Sequence, residues 1–337
     1  MESNILLGHG SGGRSSHNLI KDLFIKYFNN PVLKQQTDSA LLNISSPYIA
    51  FTTDSFVVDP LFFPGGDIGK LAVCGTVNDL AVSGAIPKYL SASFIIEEGF
   101  LIKELEVIVS SMAEEAKTAG ILIVTGDTKV VTKGQCDKLF INTSGIGILD
   151  EKYKNISLGE KIKPGDKIIV NGTIADHGMA IMSARNFSHF RTEIKSDCAC
   201  LNHLIRKLLD TNARIRFMRD ATRGGIATVL CELTENNNIG IEIDESMVLI
   251  DENVRGLCEL LGFDPFYVEN EGKIIVISPK EDAEIVVGVM RQNEFGQHSA
   301  IIGEVVNNHP GKVVLKTLIG GKRIMDMLAG EQLPRIC

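Results

Sequence analysis

No block of lysine or arginine occurs in these 337 residues, and the formal net charge is −8. Nucleic acids and anionic membrane surfaces are both recognised by clustered positive charge, so neither is an expected partner. No apolar run approaches the roughly 20 residues that a membrane-spanning helix takes. The opening Met1-Glu2-Ser3-Asn4 carries an acid where a secretory leader carries basic residues, and a cytoplasmic protein is expected. The seven cysteines, at 74, 136, 198, 200, 231, 258 and 337, are scattered, which excludes a disulfide framework and reads mostly as small buried hydrophobes. Also missing are the Gly-Lys-Ser/Thr that would close a P-loop and any short-period repeat.

An apolar content of 44% is enough for two ordinary domains. Hydrophobic periodicity predicts a helix from Ser15 to Phe28, strands over 40–44 and 48–53, and a helix over 67–81. Further strands near 88–95, 121–131 and 139–149 flank a helix near 101–118, so the first half reads as strands covered by helices. The turn Lys163-Pro164-Gly165-Asp166 leads into a second mixture, with helices at 177–185, 198–209, 226–235 and 281–291 and strands near 167–170, 239–243, 273–277, 300–306 and 312–315. After Leu315 come Gly320-Gly321, a short helix over 322–328, then Gly330 and Pro334, a tail expected to be mobile with two glycines as hinges.

Several residues could carry chemistry, each with a plainer reading beside it. The loop Gly8-His9-Gly10-Ser11-Gly12-Gly13 lets backbone N–H groups approach phosphate oxygens ahead of a helix, or is only a loose N-terminal loop. Asp38, Asp54, Asp79 and Asp220 stand at expected element ends beside small residues, which suits Mg²⁺ bridging phosphates or ordinary capping. Gly126-Asp127-Thr128-Lys129 brings a carboxylate and an ammonium together, as a phosphate-and-metal site or as a turn with a surface ion pair. Glu271, before an expected strand, is a candidate base or a solvated loop acid. Cys198 and Cys200 with His203 resemble part of a soft-metal site, but no fourth ligand is apparent and the stretch reads as helix, so no metal is expected there. His177 is open to a structural or a catalytic reading.

Cys337 stands out by position. Chance puts one of seven cysteines at the last residue in about one chain in fifty, and an unburied thiol invites oxidation unless it is used. Arg335 nearby is expected to favour the thiolate.

Taken in order, Gly8-His9-Gly10-Ser11-Gly12-Gly13-Arg14, the two Thr-Asp-Ser triplets at 37–39 and 53–55, the stretch Val77 to Ala85, Thr125 to Val130, Arg219 to Gly225, Glu269-Asn270-Glu271-Gly272-Lys273 and Pro334-Arg335-Ile336-Cys337 span nearly the whole chain. The set resembles the HypE family of hydrogenase maturation proteins, within the superfamily of aminoimidazole ribonucleotide synthetase and selenide, water dikinase. One departure is Ala175, where the family pattern has glycine; little effect is expected from it.

The resemblance implies a two-domain α+β (α/β mixed), aminoimidazole-ribonucleotide-synthetase-like (PurM-like) fold. Residues 1–155 would form the ATP-binding and dimerisation domain, 156–320 the C-terminal α/β domain and 321–337 a flexible tail. It implies ATP-dependent dehydration of an S-carboxamide on Cys337 to an S-cyanate, which supplies the CN ligand of a [NiFe]-hydrogenase. The carboxamide comes from a HypF-type carbamoyltransferase, and the nitrile goes to a HypC–HypD complex. By motif, Asp38, Asp54, Asp79 and Asp220 hold Mg²⁺ and phosphate, and Gly10, Gly12, Gly13, Gly126, Asp127, Thr128 and Lys129 hold ATP. Glu271 is the base, with Lys129 as helper, and the protein is a homodimer. The alternatives are a relative acting on a small free substrate and a non-catalytic carrier of Cys337. A selenide, water dikinase would want a cysteine beside the glycine-rich loop, where none stands, and a carrier has no use for the acidic motifs.

Overall fold

The computed structural model describes residues 4–11, 13–37, 39–186, 193–328, 333 and 335–337. Gly12 and Asp38, both singled out above, lie outside them, as do Gly330 and Pro334.

The first half builds a four-stranded sheet. Its strands are β1 (Ile49–Phe56), β4 (Ala85–Glu97), β5 (Leu122–Val131) and β6 (Leu139–Leu149), while β2 (Phe62–Phe63) and β3 (Gly66–Asp67) form a separate short pair. The order is β1-β6-β4-β5, with β4 and β5 parallel and the other neighbours antiparallel. A parallel pair needs a crossover, and the helix Ile102–Ala119 supplies it. That helix buries Leu105, Ile108, Val109, Met112 and Ala116, one stripe at helical spacing. The helix Ile68–Val82 is buried on nearly every side, because it lies between this sheet and the second half. Asp67 caps it, accepting the Gly69 and Lys70 N–H groups at 2.7 and 3.1 Å. The other face of the sheet is open, with Ile49, Phe51 and Ile86 exposed.

The second half forms a seven-stranded sheet of β7 (Lys167–Val170), β8 (Phe217–Asp220), β9 (Gly240–Asp244), β10 (Ile274–Ser278), β11 (Ala300–Val306), β12 (Lys312–Lys316) and β13 (Lys322–Met325), in the order β13-β12-β9-β11-β7-β10-β8. Its central strands are apolar without alternation because both faces are covered. Ile168, Val170, Ile275 and Ile277 pack towards the helix Gly225–Asn237. Ile169, Ile274 and Val276 pack towards the helices Asn202–Leu209 and Lys280–Met290. The mixed α/β expectation therefore holds.

Three local expectations fail, for tertiary reasons. Residues 40–44 form no strand. The stretch expected as a helix over 322–328 contributes β13, which pairs with β12 (Val313 opposite Met325) and buries Met325. The helix expected from 198 begins only at Asn202, because Asn78 holds the preceding residues extended through Ala199 O (2.9 Å) and Leu201 N (2.8 Å). The strand Phe217–Asp220 and the helix Glu252–Leu261 were not foreseen.

Candidate active site

Asp54 lies inside β1, Asp79 in the last turn of the helix Ile68–Val82, and Asp220 at the end of β8. None caps a helix, so the capping reading fails for these three, and Asp54 lies inside its strand rather than at its end. Instead they face one another. Asp79 shares a hydrogen bond with Asp220 and accepts one from the Thr52 hydroxyl at 2.8 Å. Burial, then the Asp79 charge, lifts the Asp220 carboxyl to about 7. Burial likewise raises Asp54 and Asp79, with Arg223 offsetting part of the repulsion. Three neighbouring carboxylates, one buried and two half-buried, that raise one another fit a hard divalent ion, the donor set Mg²⁺ prefers.

Glu271 is 3% exposed, and burial followed by the charges of Asp197, Asp54 and Asp220 raises its carboxyl well above the usual range. The solvated-loop reading is therefore wrong. Its loop is fixed from beneath by residues that sequence reasoning missed. Asp197 accepts the Glu271 and Gly272 N–H groups, both at 3.1 Å, and the Lys273 ammonium at 2.9 Å. Asn78 donates to Glu271 O at 3.1 Å. Asn270 donates to Ala221 O at 3.0 Å and accepts Ala175 N at 2.8 Å. Asn78 and Asn270 lie inside motifs already noted; Asp197 carries no sequence signal.

The chain end is docked between the halves. Val57 N donates to Cys337 O at 3.1 Å, Asp59 N to Arg335 O at 3.3 Å, and Arg335 Nε to Val57 O at 3.0 Å. Leu333 and Ile336 are buried in the cluster that joins the two halves. His177 is fully buried: Nε2 donates to Ile336 O at 2.9 Å, which leaves Nδ1 to accept the Ser196 hydroxyl at 2.7 Å. Burial keeps this imidazole neutral by lowering its pKa, and the ring holds the tail rather than touching the thiol. Such bonds contribute about 1 kcal/mol each, enough to dock a tail without locking it.

The sulfur itself corrects two expectations. Cys337 is partly buried, and burial, then the carboxylates of Glu271, Asp54 and Glu269, raises its thiol far above the ordinary value. Arg335 does not favour the thiolate, because its guanidinium is turned to Asp137 and Val57 O. A neutral thiol among acids suits a residue that is modified elsewhere and arrives with an uncharged carboxamide in place of the proton.

The remaining predicted residues gather elsewhere. Gly10, Gly126, Asp127, Thr128 and Lys129 line a cavity of about 270 Å³ with Ser16, Phe24 and Phe94. Glycine is needed at two of these positions by close approach. A Cβ at Gly10 would lie 2.4 Å from Val130 N, and one at Gly126 would lie 2.1 Å from Ala92 O. Asp127 and Lys129 sit within β5, not in a turn, and form an exposed ion pair at 3.2 Å. Gly13 precedes the helix Arg14–Leu19. The register aligns Asp54 with Thr143, Thr143 with Ala92 and Ala92 with Gly126. The two groups thus stand at one level on opposite edges of the sheet, about 14 Å apart at about 4.8 Å per strand.

Two family models cover the chain: the AIR synthase related protein N-terminal domain matches residues 36–149, and the C-terminal domain matches residues 163–316. The chain is similar to the carbamoyl dehydratase HypE of Rhodobacter capsulatus, 46% identical over 339 residues, covering 100% of this chain and 99% of that protein. It is also similar to a crystal structure of the hydrogenase maturation protein HypE in complex with ATP, at TM-score 0.94 and 48% identity, covering 98% and 99% of the two chains. A HypE–HypF complex superposes at TM-score 0.79 and 49% identity, covering 92% and 99%.

Proposed function

The chain belongs to the HypE family of carbamoyl dehydratases, and we propose that its own Cys337 carries the substrate into the acid-lined pocket beside Glu271. There ATP drives loss of water from the S-carboxamide, giving the S-cyanate used in [NiFe]-hydrogenase maturation. The observation that carries this reading is the docked tail, which leaves the terminal thiol under the charges of Glu271, Asp54 and Glu269.

An amide oxygen is a poor leaving group. Transfer of the γ-phosphoryl group onto it makes an iminophosphate, from which phosphate departs as the C≡N bond forms. The water lost from the amide appears in the products as ADP and inorganic phosphate, and two N–H protons must be removed. Glu271, buried beside the acids that act on Cys337, is the base for one of them, because burial makes its carboxylate a stronger proton acceptor than an ordinary one. Asp54, Asp79 and Asp220 would hold Mg²⁺, with Asp38 joining them from outside the described residues. The ion supplies charge neutralisation for the triphosphate. Gly10, Gly13 and Gly126–Lys129, with Gly12, bind ATP from the β5 side, where Lys129 offsets phosphate charge.

The 14 Å separation is bridged by a homodimer that apposes the open sheet faces, so that β5 of one subunit meets the Cys337 pocket of the other. The exposed Ile49, Phe51 and Leu41, the last two 66% and 78% exposed, support such a face. A HypF-type enzyme loads the thiol and a HypC–HypD complex takes the nitrile, both in the cytosol, so the tail bonds to Val57, Asp59 and His177 must break in each cycle.

Protein carrying the S-carboxamide is incubated with ATP and Mg²⁺, and its C-terminal peptide is weighed. One water is lost from Cys337 per ADP formed. ATP turnover without that loss, or a modification on another cysteine, overturns the reading.

A further inference from the structure

Outside the Cys337 pocket, three of the seven cysteines meet where the halves join. Cys74 projects from the helix Ile68–Val82, and Cys198 and Cys200 come from the extended segment ahead of the helix Asn202–Leu209. Glu115, from the helix Ile102–Ala119, completes the group. The Cys74 and Cys200 Sγ atoms are 3.5 Å apart, and Cys74 Sγ is 3.8 Å from Glu115 Oε2. One donor atom from each of the three lies within 4.8 Å of the others. Cys198 neighbours this group and interacts with Cys74, though its sulfur is not one of the three converging donors.

These spacings can be compared with what a metal requires. Bonds of about 2.3 Å to sulfur and about 2.1 Å to oxygen, spread tetrahedrally, set S···S at about 3.8 Å and S···O at about 3.6 Å. The donors already stand close to the edges of that tetrahedron. Sulfur ligands select soft or borderline cations over Mg²⁺ or Ca²⁺. The two reasons for expecting no metal here also fall: the segment is extended rather than helical, and the further ligands come from other elements. His203 takes no part, since its Nε2 bonds Thr118 O at 2.8 Å.

We propose that Cys74, Cys200 and Glu115 bind a thiophilic divalent cation of the zinc class, with Cys198 closing the fourth position after a side-chain rotation. Each coordinating thiol releases its proton to solvent and nothing is oxidised or reduced. Lys70, 3.6 Å from Glu115 Oε1, gives up that ion pair to the metal. The cation ties the helices Ile68–Val82 and Ile102–Ala119 to the segment that carries Ser196 and Asp197. Ser196 orients His177, and Asp197 anchors the Glu271 loop. Occupancy thereby steadies the tail's dock without touching the reacting atoms.

The test uses the full chain, reduced and stripped of metal, titrated with Co²⁺ and then Zn²⁺. At one equivalent, Co²⁺ gives thiolate-to-metal charge-transfer and tetrahedral ligand-field absorption, which Zn²⁺ abolishes. Zn²⁺ also raises the melting temperature. Cys74→Ser and Cys200→Ser lose the absorption, while Cys337→Ser keeps it. Glu115→Gln, on a half-buried position where folding is not at risk, weakens binding by at least about tenfold, the cost that even an outer partner of a metal site carries. The proposal is overturned by no charge-transfer band, by a band that survives Cys200→Ser, or by one that disappears in Cys337→Ser. Recovery of a Cys74–Cys200 disulfide in place of bound metal overturns it as well.

Discussion

The acid cluster around Cys337 and the cavity along β5 meet one sheet at the same level, through Asp54 and Gly126, yet they differ in how their charges are held. In the cluster, Asp220 and Glu271 are buried and Asp79 half-buried, all three are raised, and neighbours such as Thr52, Asp197 and Asn78 fix them. Along β5, Asp127 and Lys129 lie open and paired to each other. An exposed pair is worth less than about 1 kcal/mol and yields to an incoming phosphate, whereas the buried acids stay strained until a cation or substrate arrives. The difference teaches a division of labour: β5 is built to exchange a ligand, and the pocket is built to hold a reacting group still.

The comparison would break most visibly if one subunit contained both regions of a working site. Mixed dimers of Lys129→Ala and Cys337→Ala chains test this. Cys337 on the Lys129→Ala chain should be dehydrated at the wild-type rate when its partner retains Lys129, although the Lys129→Ala homodimer is slow. No rescue would put both regions in one subunit. The dock is sharpened next by His177→Ala, which strands the buried Ile336 carbonyl. At about 1–3 kcal/mol for such a group, the docking equilibrium constant should fall about 5- to 160-fold. The check is faster hydrogen exchange at the Val57 and Asp59 amides, which donate to Cys337 O and Arg335 O in the docked tail, with ATP affinity unchanged.

Beneath the pocket, Asp176 is lifted to about 6, first by burial, with Lys273 opposing and Asp197 adding to the rise. Its folded pKa lies above the unfolded value of about 3.9. The folded chain therefore keeps a proton that the unfolded chain has lost, and stability falls as pH climbs from about 4 to about 6. Asp176→Asn should remove that slope, so its stability advantage over wild type grows across the window and levels off above it. Urea unfolding at several pH values measures this. The smallest effect is at Ala175, whose φ of +73° lies in the left-handed region. The family's glycine relieves that strain, so Ala175→Gly should stabilise by about 0.5–1 kcal/mol after the entropic cost of glycine. The departure noted in the sequence has a structural cost after all.

Much of the pocket was legible because its residues sit in short, polar, glycine-bearing stretches that no packing rule asks for. Asp54, Asp79, Asp220 and Glu271 were all found that way, and the mixed α/β architecture followed from the alternation of periods. What was not legible depends on partners distant in sequence. Residues 198–201 read as helix in the sequence but are extended, because Ala199 O and Leu201 N are taken by Asn78, which lies 121 residues before Ala199. Likewise, β13 is a strand only because β12 offers an edge. The burial of Cys337 and the outward turn of Arg335 were hidden for the same reason. Asp197, which anchors the Glu271 loop, belongs to no pattern at all.

The most direct test of the account is a single turnover of S-carboxamide protein with saturating ATP, comparing wild type with Glu271→Gln by the rate of water loss from Cys337. A buried base in contact with the reacting group predicts a fall of at least about a hundredfold, with ATP binding unchanged and a melting temperature at least as high, since a buried acid has been made neutral. An unchanged rate of cyanate formation in Glu271→Gln would contradict the account.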